Sequence, residues 1–125
     1  MKHILTLVLV ALSFAVFAQG ADAPAKFDVT KHEFGKIKKG VPVTTVFTFT
    51  NTGAKPLIVE NAEAGCGCTT PDYPKAPIMA GKTGTIKVTF NAASEGPFTK
   101  NVNVKFVGTQ LPVTLIIQGE VLSSK

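Results

Sequence analysis

From residue 43 onward the large apolar side chains fall at every second position, a spacing that belongs to strands and not to helices. Val43-Thr-Thr-Val-Phe-Thr-Phe-Thr50 sets Thr45, Phe47 and Phe49 on one face and Val46, Thr48 and Thr50 on the other. Gly84 to Phe90 points Ile86, Val88 and Phe90 inward and Thr85, Lys87 and Thr89 outward. Phe98 to Phe106 repeats the pattern with Val102, Val104 and Phe106, and Leu111 to Val121 returns with Val113, Leu115 and Ile117. Phe27 to Phe34 reads as a weaker first strand, and Pro56 to Val59 starts another. Asn51-Thr-Gly53 and Gly108-Thr-Gln110 are turn sequences, because Asn and Gly tolerate the backbone that a reversal needs. No stretch after residue 26 carries a helical stripe. Six or seven short strands in one domain predict an all-β fold, an antiparallel sandwich of two facing sheets.

The beginning of the chain is different. Met1-Lys2-His3 is short and positive, and Ile4 to Phe17 is apolar except for Thr6 and Ser13. Val16-Phe17-Ala18 then offers small or modest side chains where signal peptidase cuts. This is the layout of a secretory signal peptide over residues 1–18. The apolar run is shorter than the roughly 20 residues that span a bilayer, so no membrane span is expected once it is cleaved. A cut near Ala21 or Ala23 is the alternative, and an uncleaved anchor is the competing reading. Residues 19–26, Ala-rich with one Pro, read as a flexible lead-in to a domain over residues 27–122. With 17% charged and 45% hydrophobic residues in 125, the chain has too little charge for long disordered tails.

All 13 basic residues are Lys. Phosphate and base recognition favour the planar fork of Arg, so no nucleic-acid partner is expected. The densest basic group, Lys36, Lys38 and Lys39 beside Gly40, reads as a solvated turn that protects a sheet edge.

Catalytic sets are hard to assemble. After the signal the chain holds one His (His32), and its serines are Ser94, in a Gly/Glu loop, and Ser123 and Ser124 at the tail. A Ser-His-Asp triad needs a rigidly held Ser. Glu60, Glu63 and Asp72 read as surface acids. The expectation is that the protein is not an enzyme.

Cys66-Gly67-Cys68 is the one constellation with chemical content. In a strand, residues two apart have Cα atoms about 6.6 Å apart, at the edge of the disulfide range, so pairing requires a local contraction that Gly67 permits. The ring is tiny, so its entropic contribution is about 1–2 kcal/mol before strain. Three readings stand side by side: an intrachain disulfide formed after export; a metal site of two soft thiolates for copper or zinc, with His32 or Met79 as further ligands; and a redox-active pair or intermolecular crosslink. The surrounding segment, Gly65 to Gly81, is long and carries Pro71, Pro74 and Pro77 at every third position, which suits an extended crossover. Within it Tyr73 and Met79 are candidate loop contacts, Tyr73 either packed on the core edge or exposed as an anchor for a partner.

Several pieces, in order, carry a family resemblance: His32-Glu-Phe-Gly35, Gly40, Phe47-Thr-Phe-Thr-Asn-Thr-Gly53, Gly65-Cys-Gly-Cys-Thr69, Pro77-Ile-Met-Ala-Gly81 and Ile117-Gln-Gly119. Together they resemble DUF1573, a bacterial family of secreted domains, over Phe27 to Val121. Ala80 departs from the pattern, which more often has Pro before the Gly. The resemblance implies an immunoglobulin-like fold of the Hydin and major sperm protein type and supplies no activity. The expectation is thus an exported module, periplasmic or extracellular, that binds another protein or a cell-envelope component. The alternative is a thiol-based metal or redox protein using Cys66 and Cys68.

Overall fold

The computed structural model describes residues 24–123. The predicted signal peptide, residues 1–18, and the lead-in as far as residue 23 lie outside them. The described chain contains eight strands and no helix: β1 (Ala25–Phe27), β2 (Lys31–Lys38), β3 (Val43–Asn51), β4 (Val59–Ala64), β5 (Thr69–Asp72), β6 (Thr83–Phe90), β7 (Gly96–Phe106) and β8 (Val113–Leu122). They form two four-stranded sheets, ordered β1-β3-β6-β5 and β2-β8-β7-β4. The all-β immunoglobulin-like sandwich expected from the alternation is therefore the fold, with eight strands in place of about seven. Among the described residues no helix is long and apolar enough to cross a membrane.

The inward faces are those the spacing assigns. Phe47, Phe49, Ile86, Val88, Val102, Val104, Phe106, Leu115 and Ile117 are each at most 1% exposed. Their neighbours one residue away are mostly polar and at least partly open to solvent, with Val46, Val107 and Ile116 as apolar exceptions, as in a sheet with one dry face. The phenylalanines divide into two clusters. At one end of the sandwich Phe49 packs between Phe27 (5.3 Å) and Phe106 (5.4 Å). At the other end Phe90 stacks on Phe98 at 4.1 Å.

Four features depart from the sequence reading. The segment from Phe27 to Phe34 is two strands. The chain leaves β1 at Phe27 and re-enters in the opposite sheet at Lys31. Phe27 and Phe34 thus serve the same core from different layers, and the alternation alone hides the break. The first strand begins at Ala25, inside the expected lead-in. The sheets are not wholly antiparallel, because β2 runs parallel to β8, from Lys31 opposite Ile116 to Lys38 opposite Leu122. Last, the Pro-punctuated stretch contains β5. Pro71 pairs there with Val88 on an edge strand, where a missing N–H can be tolerated. Further on, Ile78 exchanges backbone hydrogen bonds with Leu57.

Asn51 also does more than end a strand. It is 1% exposed. Its Nδ2 donates to the carbonyls of Lys55 (2.7 Å) and Ile78 (2.9 Å), and its Oδ1 accepts from the N–H of Gly53 (2.9 Å). One side chain therefore ties the turn after β3 to the segment that precedes β6.

Candidate functional site

β4 ends at Ala64, opposite Val102 of one sheet, and β5 begins at Thr69, opposite Phe90 of the other. The crossing between the layers is made by Gly65-Cys-Gly-Cys68, in a turn. Cys66 and Cys68 are joined there as a disulfide, with Cα atoms 5.3 Å apart. The turn supplies the contraction that an extended backbone lacks. Both cysteines are half-buried, and Cys68 packs against the core.

Two groups that sequence reasoning missed surround the pair. Thr69 is 4% exposed, and its hydroxyl lies 3.6 Å from Cys68 Sγ and 3.9 Å from Cys66 Sγ. Thr69 stood inside the Gly-Cys-Gly-Cys-Thr run, so its adjacency was visible, although its orientation was not. Lys100, on β7, lines two clefts at the disulfide. One, of about 220 Å³, takes in Cys68, Phe90, Asn91, Ser94 and Glu95. The other, of about 250 Å³, takes in Gly65, Cys66, Thr99 and Asn101. Nothing in the sequence separation of Lys100 from the cysteines signals this. The loop is fixed from below, because the N–H of Asn91 donates to the carbonyl of Cys68 at 2.9 Å.

The other sequence candidates lie elsewhere. His32 sits on β2, at the far edge of the sheet from β4, three strand spacings or roughly 14 Å across. Its ring meets Phe34 edge-on at 4.6 Å. Met79 is exposed, and its carbonyl accepts from the N–H of Lys82 just before β6. Thr69 pairs with the opposite end of that strand, about 23 Å away. The structure therefore brings neither His32 nor Met79 to the two sulfurs. Among the described residues no three His, Cys, Asp or Glu side chains cluster as metal ligands. Tyr73 is half-buried against the core edge, with Lys75 Nζ 3.5 Å above its ring.

A second surface feature lies on β2. The parallel ladder is bulged between Glu33 and Lys36. There Glu33 accepts from Gln118 Nε2 and from the N–H of Gly35. Gly119 faces this bulge so closely that a Cβ on it would lie 2.7 Å from the Gly35 carbonyl oxygen. Two pieces of the resemblance, His32 to Gly35 and Ile117 to Gly119, are thus one contact. A groove of about 360 Å³ opens beside it, lined by Glu33, Gly35, Lys36, Thr99, Gln118 and Glu120 among others. The outer side of β2 has no strand against it among the described residues.

Comparison with solved structures identifies the same architecture. The PapD-like domain 7 of human CEP192 superposes with a TM-score of 0.72 at 8% identity, covering 91% of this chain and 97% of that domain. A protein of unknown function from Porphyromonas gingivalis gives 0.66 at 13% identity, over 81% of this chain and 50% of that one. The YadV chaperone gives 0.52 at 18% identity, over 82% and 53%. Identities this low speak for the fold alone. No curated protein sequence matches the chain. The model of one family, described as a protein of unknown function, matches residues 25–121, nearly the whole described chain. The protein belongs to the DUF1573 family.

Proposed function

We propose that this is an exported, non-enzymatic immunoglobulin-like module that binds another protein or a cell-envelope component by accepting an extended segment beside β2. The observation that carries this reading is the edge itself. β2 is eight residues long, its outer side is unpaired among the described residues, and a groove opens at its bulge. Strand addition uses such backbone for affinity and the adjoining groove for side-chain selection. The other edges are less suited to it: β1 has three residues, β5 carries Pro71, and β4 has six residues with a register shift between Val59 and Asn61 and, among the described residues, no groove at its edge. Lys31, Lys36 and Lys38 project from β2 and Glu33 offsets one of them, so an acidic segment is the complementary partner. The likeness to PapD-like domains and to a chaperone supports a binding role through the fold.

The test is capture from envelope extract with the mature protein and with the Lys36→Glu/Lys38→Glu variant. The captured partner should be lost with the variant, and β2 amides should gain exchange protection in the complex. Protection confined to the outer face of the other sheet would refute the edge assignment. Hydrolytic turnover by the purified protein would refute the non-enzymatic reading.

A second reading rests on the cysteine turn, where a buried hydroxyl reaches both sulfurs and each sulfur opens on a cleft. In it, Cys66 and Cys68 act as a redox pair or, once reduced, as a two-thiolate site for copper or zinc. Thiol titration and metal analysis of the reduced protein decide it. Any signal should vanish in Cys66→Ser/Cys68→Ser, and a signal that persists would end this reading.

A further inference from the structure

The surroundings of the two sulfurs differ in a way that assigns them separate roles. We infer that Cys66–Cys68 is a thiol–disulfide exchange site at which a small anionic thiol attacks Cys66 Sγ and Cys68 leaves as the thiolate. The inference rests on the redox reading of the pair.

Charge selects the side of attack. The cleft at Cys66 has one charged residue among its lining residues, Lys100. The cleft at Cys68 has Lys100 and Glu95, of opposite sign. Glu95 pairs with Lys39 at 3.6 Å, yet its carboxylate lines the Cys68 cleft and none lines the Cys66 cleft, so an anionic nucleophile approaches more freely from the Cys66 side. Anchoring selects the leaving sulfur. Cys68 packs on the core, and the Asn91 N–H holds its carbonyl. Cys66 stands between Gly65 and Gly67, and its carbonyl has only the long 3.5 Å contact from the Thr69 N–H, against 2.9 Å at Cys68. When the bond opens, Cys68 stays in place and Cys66 is the free end. The Thr69 hydroxyl is nearer to Cys68 Sγ, and it is buried. A thiolate is a stronger acceptor than a disulfide sulfur, so this O–H donates best to the product of the cleavage. The three-residue ring also adds little loop entropy to oppose opening.

The steps balance with thiol as the only co-reactant. The thiolate of the first molecule bonds to Cys66 Sγ, the Cys66–Cys68 bond breaks, and its electron pair leaves on Cys68 Sγ. A second thiolate attacks the outer sulfur of the mixed disulfide, forming the small-molecule disulfide and releasing Cys66 Sγ as thiolate. Two electrons enter the pair, and the protons of the two thiols end on the two cysteines.

The experiment compares glutathione, which carries a net negative charge besides its thiolate, with 2-mercaptoethanol, which carries none, on the oxidised full-length exported protein at matched thiolate concentration. Free-thiol labelling follows the rate, and acid-quenched fragments map the mixed disulfide. Glutathione should react about three- to tenfold faster at low salt, as one nearby charge at intermediate dielectric allows. The advantage should fade as ionic strength rises. Lys100→Gln should remove it and Lys100→Arg should keep it, with the melting temperatures of both checked against the parent. The mapped adduct should sit on Cys66. An adduct on Cys68, equal rates with the two thiols, or indifference to Lys100→Gln overturns the inference while leaving a redox pair. If neither thiol reduces the protein, the redox reading itself falls.

Discussion

Replacing Asn51 tests the claim that one buried amide fastens one end of the sandwich. Asn51→Ala removes three hydrogen bonds, to the Lys55 and Ile78 carbonyls and from the Gly53 N–H. They do not count equally. The bond to Ile78 is buried, whereas the Lys55 and Gly53 groups are partly open and water can replace the amide there. Ile78 also keeps its bond from the Leu57 N–H at 2.8 Å. At about 1–1.5 kcal/mol for the buried bond and about half that for each of the others, the loss is about 2–3 kcal/mol. For a domain of about 100 residues that lowers the melting temperature by roughly 10–15 °C. Urea denaturation should show the midpoint falling with an unchanged slope. Asn51→Asp keeps the shape but sets a carboxylate oxygen against two carbonyl oxygens, so it should be worse than Ala at neutral pH. Burial and those carbonyls hold the new carboxyl above the usual carboxylate range in the folded state. Its protonated form can donate, so the deficit of Asn51→Asp should be smallest at acid pH and should grow as pH rises through the folded value. The end of the sandwich holding Asn51 is remote from the disulfide, so thiol reactivity of folded Asn51→Ala should match the parent. A cost under about 0.5 kcal/mol for Asn51→Ala, the range of ordinary surface changes, would refute the reasoning.

Gly84→Ala should destabilise by about 1–3 kcal/mol, because its Cβ would lie 2.6 Å from Cζ of the fully buried Phe49; a chemical melt equal to the parent's would show that the ring can move aside. Thr69→Val keeps the shape of the buried side chain and removes its donor, so in the reduced protein the pH midpoint for alkylation of Cys68 should move up; an unmoved midpoint would mean the hydroxyl does not serve the sulfur. Glu60→Gln should change stability by less than about 0.5 kcal/mol, since its 2.7 Å pair with Lys105 is well exposed; a larger loss in urea melts would contradict this. Intact mass of the exported protein should correspond to loss of residues 1–18, and an uncut mass would remove the signal-peptide reading.

Much of the sandwich was legible because a sheet with one dry face writes a period of two into its sequence. The inward sets of β3, β6, β7 and β8 could be named residue by residue. Pairing partners could not, because the spacing within β2 says which face is buried and nothing about whether β8 beside it runs parallel. β5 was obscured by Pro71, which reads as a loop until its edge position is known. Asn51 carried a turn signal, yet its amide meets a carbonyl 27 residues away, a contact that only the folded chain defines. At the cysteine turn the reactive atoms were evident from the sequence. Lys100 was not, because the crossing between layers sets it beside the sulfurs.

The position of β8 has a consequence for the order of assembly. It is the last of the eight strands to be synthesised, yet it lies inside its sheet, bonded to β2 on one side and β7 on the other. Until Val113–Leu122 is in place, β2 lacks the one strand that pairs with it among the described residues, and the buried Leu115, Ile117 and Val121 are missing from the interior. Closure must wait for the long-range contacts of the eighth strand, which favours slow, late and concerted collapse over stepwise building from the first strands.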